Sequence, residues 1–156
     1  MKLTDLIAPN AIVAQLTSRE RDGVIAELVD TLVQAGGVEQ GTRDELIKML
    51  LEREKRSTTG FGAGIAVPHA KHPRVTRVSG AIGLSASGLD FSSIDMQPVY
   101  TVVLLLSPHE KPDEHLHAME VIFKVLSQDS FRRLLRQAST AEEVQSLLDG
   151  VDAQHV

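Results

Sequence analysis

Apolar side chains recur along this chain at two spacings, three to four residues in some stretches and one to two in others, and the switches divide it into helices and strands. Residues 1–16 carry Leu3, Leu6, Ile7, Ile12, Val13 and Leu16 with no sustained period, and Pro9-Asn10 breaks them; they read as a lead-in with a turn. Thr17 and Glu20 stand at capping-box spacing before a helix with Val24, Ile25, Leu28, Val29 and Leu32 on one face, ended by Gly36-Gly37. Thr42 and Glu45 repeat the spacing ahead of a second helix with Leu46, Met49 and Leu50 inward and a charged end, Glu52 to Arg56. Ile65 to Val67 reads as a short buried strand that stops at Pro68 and delivers His69 to a loop.

In the second half, Val75 to Ser87 alternates, with Gly80, Ile82 and Leu84 on one side, and Leu89 to Phe91 is expected as a further short strand. Val99 to Leu106 is almost continuously apolar between Pro98 and Ser107-Pro108, the mark of a central strand covered by helices on both faces. Pro112 suits the first position of a helix with Leu116, Met119, Phe123 and Leu126 as its apolar stripe. Asp129 caps a short helix with Phe131, Leu134 and Leu135 inward. Thr140 and Glu143 open a last helix with Val144, Leu147 and Leu148, which Gly150 closes, leaving the tail after about residue 150 frayed. The expectation is one mixed α/β domain over residues 1–156, without repeat or linker.

Composition narrows the function classes. A hydrophobic share of 42% with 24% charged residues suits a soluble globular domain, and the absence of a long apolar run or an export signal leads to a cytoplasmic expectation with no membrane insertion. No cysteine means no disulfide, no thiolate nucleophile and no cysteine metal knuckle. Sixteen Lys and Arg against twenty-one Asp and Glu give a net charge of −5, which argues against nucleic acid as partner, and Arg132, Arg133 and Arg136 read as a solvated helix face.

The candidate chemistry gathers around Gly60-Phe61-Gly62-Ala63-Gly64 and the Pro68-His69 that follows. Five of six histidines lie between residues 69 and 117, as His69 with His72 and then His109, His115 and His117. A zinc site would use His69, His72, His115 and His117, yet two residues apart on a helix are about 200° apart in direction, so His115 and His117 reach one ion only from an irregular turn. A phosphoryl-carrier site would use His69 as nucleophile, with one ring N–H held by an acceptor and the other nitrogen free to attack phosphorus. Its equatorial oxygens need donors, and His115, Arg53, the Thr58 and Thr59 hydroxyls and backbone N–H groups at Gly62 and Gly64 are of suitable type. A binding module in which His69 only hydrogen-bonds a partner is the third reading.

Gly64-Ile65-Ala66-Val67-Pro68-His69, preceded by Leu51-Glu52-Arg53-Glu54, Ser57 to Gly60 and Gly62-x-Gly64 and followed by His115-Leu116 before an apolar helix, resembles the EIIA component of the phosphoenolpyruvate-dependent phosphotransferase system, mannitol/fructose class with its nitrogen-regulatory branch. The resemblance covers nearly the whole chain. It implies a central mixed β-sheet flanked by helices on both faces and a phosphoryl group accepted by His69 from an HPr-like carrier, with no cofactor and no metal. His115 is carried over as hydrogen-bonding neighbour and Arg53 as stabilising cation, while His72, His109 and His117 match nothing and are expected on the surface. The lead-in Leu3 to Ile7 and the absence of further domains in these 156 residues resemble the regulatory branch, which acts on target proteins. His115 keeps open the sugar-transporter alternative, in which an EIIB component receives the phosphate.

Overall fold

The computed structural model describes residues 1–154. Its elements, in chain order, are α1 (Leu3–Leu6), β1 (Ile7–Val13), α2 (Arg21–Gln34), a 3-10 turn at Gln40–Thr42, α3 (Arg43–Arg56), β2 (Gly60–Gly62), β3 (Ile65–Ala66), β4 (His69–His72), β5 (Ser79–Leu89), β6 (Val99–Pro108), α4 (Pro112–Leu126), α5 (Asp129–Gln137) and α6 (Ala141–Gln154). The sheet runs β1-β5-β6-β3-β2, with β4 also paired to β6. β5 and β6 are antiparallel, whereas β1 on β5, and β3 and β4 on β6, are parallel, so the sheet is mixed.

β6 is the central strand that its unbroken apolar run predicts, and its alternate side chains enter different cores. Val103 and Leu105 pack with Ala118, Ile122 and Val125 of α4 and with Phe131, Leu135, Val144 and Leu148 of α5 and α6. Val102, Leu104 and Leu106 pack with Val24, Ile25, Leu28 and Val29 of α2 and Leu46 and Leu50 of α3. Both faces are therefore covered by helices, the arrangement that a two-sided apolar strand requires.

Several local expectations change. The lead-in holds an edge strand, β1, whose register against β5 shifts between Ile7 and Ile12 around Pro9. Pro9 has no N–H to give a ladder, and an edge strand with an irregularity is where it is tolerated. α2 starts at Arg21 rather than beside Thr17, because the Glu27 carboxylate accepts the backbone N–H groups of Thr17 and Ser18 and holds that segment outside the helix. Thr42 precedes α3, but its hydroxyl donates to the Glu39 carbonyl and makes no cap bond. Leu89 ends β5, and Phe91 is fully buried in irregular chain rather than in a strand of its own.

The stripe of α4 is rotated from the expected one: Ala118, Ile122, Val125 and Leu126 are buried, while Leu116 and Phe123 are exposed. Leu134 of α5 also faces out. Thr140 makes the expected contact with Glu143, accepting its backbone N–H at 3.2 Å, but Gly150 does not end α6. The helix continues to Gln154 because Val151 is buried and the Asp152 carboxylate accepts the backbone N–H groups of Leu3 and Thr4 and the Thr4 hydroxyl. Residues 155 and 156, the end of the tail expected to fray, lie outside the described residues.

Candidate functional site

Pro68 does not end the strand that leads to His69. Ile65 pairs with Thr101 and His69 with Leu105, four residues on along each strand, so β3 and β4 lie in one register on β6 and are interrupted only at Val67-Pro68. The Pro68 carbonyl accepts the Leu105 N–H at 2.9 Å, which keeps the ladder closed where proline supplies no donor. His69 is thus the first residue of a strand segment rather than part of a loop. Its Nδ1 lies 2.8 Å from the Val67 carbonyl oxygen. A carbonyl can only accept, so Nδ1 carries the proton and the neutral ring keeps its lone pair at Nε2.

The crossover from β6 into α4 brings a second imidazole to the same place. His115 lies in the first turns of α4, with its ring centre 5.6 Å from that of His69 and its Nδ1 2.7 Å from the Ser107 hydroxyl oxygen at the end of β6. Burial pushes the His115 pKa down, and the positive charges of His69 and Lys71 lower it further, to about 4. His115 is accordingly neutral at neutral pH.

The end of α3 closes the third side. Met49, Glu52, Arg53 and Arg56 line a cleft of about 430 Å3 together with His69, Ala70, Lys71 and His115. Three cations against one carboxylate favour an anionic ligand. Arg53 donates from Nη1 to the Ser57 carbonyl at 2.7 Å, a helix-end contact that holds the guanidinium at the cleft wall. Sequence reasoning named Arg53 and missed Glu52, Lys71 and Ser107. Lys71 had a usable signal, because it stands two residues beyond His69 and shares its side once β4 is read as a strand.

Thr58, Thr59, Gly62 and Gly64 do not line this cleft. The Thr58 hydroxyl donates to the Phe91 carbonyl at 2.6 Å and accepts the Gly60 N–H, and the Thr59 hydroxyl donates to the buried Glu54 carboxylate. Both are taken up in fixing the turn after α3. Gly62, Ala63 and Gly64 have φ of 107°, 58° and 78°, so this pair of glycines makes the tight connection between β2 and β3.

His72 is not a surface residue: it is 3% exposed, its Nδ1 accepts the Arg74 N–H at 3.0 Å and its Nε2 lies 3.2 Å from Glu45. His109 and His117 are exposed, as expected. The four histidines of the zinc reading are not brought together, and among the described residues no group of three or more His, Asp or Glu is placed to hold a metal ion. Of the basic cluster on α5, Arg132 and Arg133 pair with Asp129 and Arg136 stacks on Tyr100, 3.7 Å from its ring centre.

Residues 5–150 match the family described as phosphoenolpyruvate-dependent sugar phosphotransferase system, EIIA 2. A nitrogen regulatory protein of Bradyrhizobium diazoefficiens is 33% identical over 95% of this chain and 95% of its own length. The fructose-specific EIIABC component of Bacillus subtilis is 32% identical over 97% of this chain, which spans only 24% of that larger protein. Among solved structures, nitrogen regulatory protein IIA-Ntr from Neisseria meningitidis superposes with a TM-score of 0.83, at 27% identity over 94% of this chain and 98% of its own. The mixed sheet, the order of its elements and the match over most of its length agree: this chain belongs to the EIIA type 2 family of the phosphoenolpyruvate-dependent phosphotransferase system.

Proposed function

We propose that His69 is the phosphoryl acceptor of this chain, that an HPr-like phosphohistidine protein is its donor, and that the protein serves in the cytoplasm as a regulatory switch set by that phosphate. The supporting observation is the fixed tautomer of His69: Val67 holds Nδ1–H, and Nε2 is left as the nucleophile beside a cationic cleft. Attack by the Nε2 lone pair forms a nitrogen–phosphorus bond while the corresponding bond on the donor's imidazole breaks, its electron pair returning to that ring. Little is asked of the protein beyond in-line placement and stabilisation of the equatorial oxygens. Arg53 supplies charge and His115 a neutral hydrogen-bonding partner.

The donor must dock and leave. Leu116 and Phe123 form an exposed apolar stripe on α4 that starts beside His115, with the half-buried Met119 between them, and Phe61 packs edge-on against Phe123 with ring centres 4.8 Å apart. An apolar patch beside a charged cleft suits a transient protein partner. Likeness to both a nitrogen regulatory protein and an EIIABC component supports two onward fates, control of target proteins or transfer to an EIIB component; the superposition on nitrogen regulatory protein IIA-Ntr, with a TM-score of 0.83, favours control.

Phosphoenolpyruvate, the first enzyme of the system and its small carrier should add one acid-labile phosphoryl group to the protein, absent in His69→Ala. No transfer from several active carriers would overturn the reading. Capture of partners with phosphorylated and unphosphorylated protein, beside an assay of onward transfer to an EIIB domain, separates the two fates.

A further inference from the structure

The Ser107 hydroxyl is fully buried at the end of β6, directly opposite Lys71 in the register and two residues beyond the Leu105 that pairs with His69. A buried hydroxyl has one proton to place and needs one acceptor for it. Among the described residues the hydrogen-bond partner of Ser107 Oγ is His115 Nδ1, at 2.7 Å. Were Nδ1 protonated, the ring would donate to Oγ and the hydroxyl proton would have no acceptor. An unsatisfied buried donor is penalised enough to bias the tautomer ratio by about tenfold or more. We infer that Ser107 is a positioning residue that donates to His115 Nδ1 and so fixes His115 as its Nε2–H tautomer, giving the cleft an N–H donor where the other tautomer would present a lone pair.

The two imidazoles are thereby set in opposite tautomers. Val67, an obligate acceptor, leaves His69 with a lone pair at Nε2; Ser107, whose proton has no other acceptor among the described residues, leaves His115 with a proton at Nε2. One ring is made a nucleophile and its neighbour, 5.6 Å away between ring centres, a hydrogen-bond donor for the group the first receives. The depressed pKa of His115 means that the neutral ring, for which the tautomer matters, is the form present at neutral pH. The consequence for transfer rests on the phosphocarrier reading of His69, whereas the tautomer assignment does not.

The test is long-range proton–nitrogen correlation NMR on unphosphorylated, 15N-histidine-labelled protein near neutral pH. His115 Nδ1 should resonate as an unprotonated acceptor and Nε2 as a protonated nitrogen. Ser107→Ala should shift His115 toward a mixture of tautomers and slow phosphoryl uptake about tenfold, the scale of one hydrogen bond to a charged group. Ser107→Thr, which keeps the hydroxyl, should retain the parent tautomer and a rate near the parent's. An Nδ1–H tautomer in the parent overturns the inference, and so does Ser107→Ala with parent tautomer and parent rate. If Ser107→Ala fails to fold, the parent and Ser107→Thr spectra still decide. Failure of the parent to accept phosphate from any carrier would remove the phosphocarrier reading and leave the tautomer result standing.

Discussion

Burial disfavours the charged form of the half-buried His115 ring, and the His69 ring, 5.6 Å away between centres, and Lys71 disfavour it further. His115 is pushed from an ordinary value near 6.5 to about 4, so on acidification the unfolded chain takes up a proton there before the folded one does. Its contribution to stability is therefore fully present above about pH 6.5 and falls away as pH drops toward 4. His115→Gln should flatten the decline of the melting temperature across that window; an unchanged profile would count against the assignment. His115→Ala should also slow phosphoryl uptake by about 10- to 100-fold while leaving the fold intact, since a polar donor is lost from the cleft and little apolar packing goes with it. For Arg53→Ala, initial rates of uptake separate two roles: a stabilising cation predicts a comparable slowing, and a residue serving only the end of α3 predicts a small loss of stability with unchanged transfer.

At the scale of elements, the turn from α3 into β3 shows how a glycine-rich signature can be structural. Three consecutive positive φ values at residues 62–64 make the connection, and a Cβ on Gly64 would approach the Tyr100 ring at 3.2 Å. Gly64→Ala should destabilise the protein by about 1–2 kcal/mol through left-handed strain, read by urea denaturation. The glycines, Thr58 and Thr59 stood out in the sequence for the same reason that made them look phosphate-proximal, because glycines and hydroxyls beside a histidine serve both a phosphate cradle and a tight turn. Their bonds to Phe91 and Glu54 come from segments distant from the cleft or turned away from it. The α4 stripe taught a similar lesson. Leu116, Met119 and Phe123 satisfy helical spacing as well as Ala118, Ile122 and Val125 do, and only the facing sheet selects which stripe is covered. Phe123→Asp should weaken carrier binding, with a modest fall in melting temperature from the lost contact with Phe61; unchanged binding would remove this stripe from the docking surface.

On the scale of the molecule, two cores share one sheet, and α1 and α6 meet on one side of it. Asp152 near the end of α6 holds the start of α1 through three hydrogen bonds. Burial raises its pKa, but the bonds from the Thr4 hydroxyl and from the Thr4 and Leu3 backbone, with the Lys2 charge, outweigh that and leave it below the ordinary value. A depressed carboxylate stabilises the fold above its unfolded pKa, and that stabilisation is lost as pH falls through the lower folded value. Asp152→Ala should reduce stability by about 1 kcal/mol at neutral pH, by analogy with loss of a helix cap, and the difference from the parent should vanish in strong acid. Hydrogen exchange at Leu3 and Thr4 reports the same contact locally.

The sequence by itself determined the elements whose pattern admits one interpretation, the two-sided strand at Val99–Leu106 and the helices over both faces that it demands; it offered His69 as the candidate centre of the chemistry and His115 and Arg53 as donors of suitable type, to which the resemblance added their expected roles. Tertiary structure decided what depends on partners far along the chain. The strand through Pro68 continues because the Leu105 N–H donates to its carbonyl. α6 passes Gly150 because α1 receives its end. His72 is buried because Glu45 and the Arg74 backbone satisfy it. Ser107 reads in sequence as the boundary of a strand, and only the return of α4 over β6 sets His115 against its hydroxyl. Local spacing fixes which face a side chain takes within its own element; what lies opposite that face is fixed by long-range packing, and there the cleft acquires its charges, its tautomers and its second histidine.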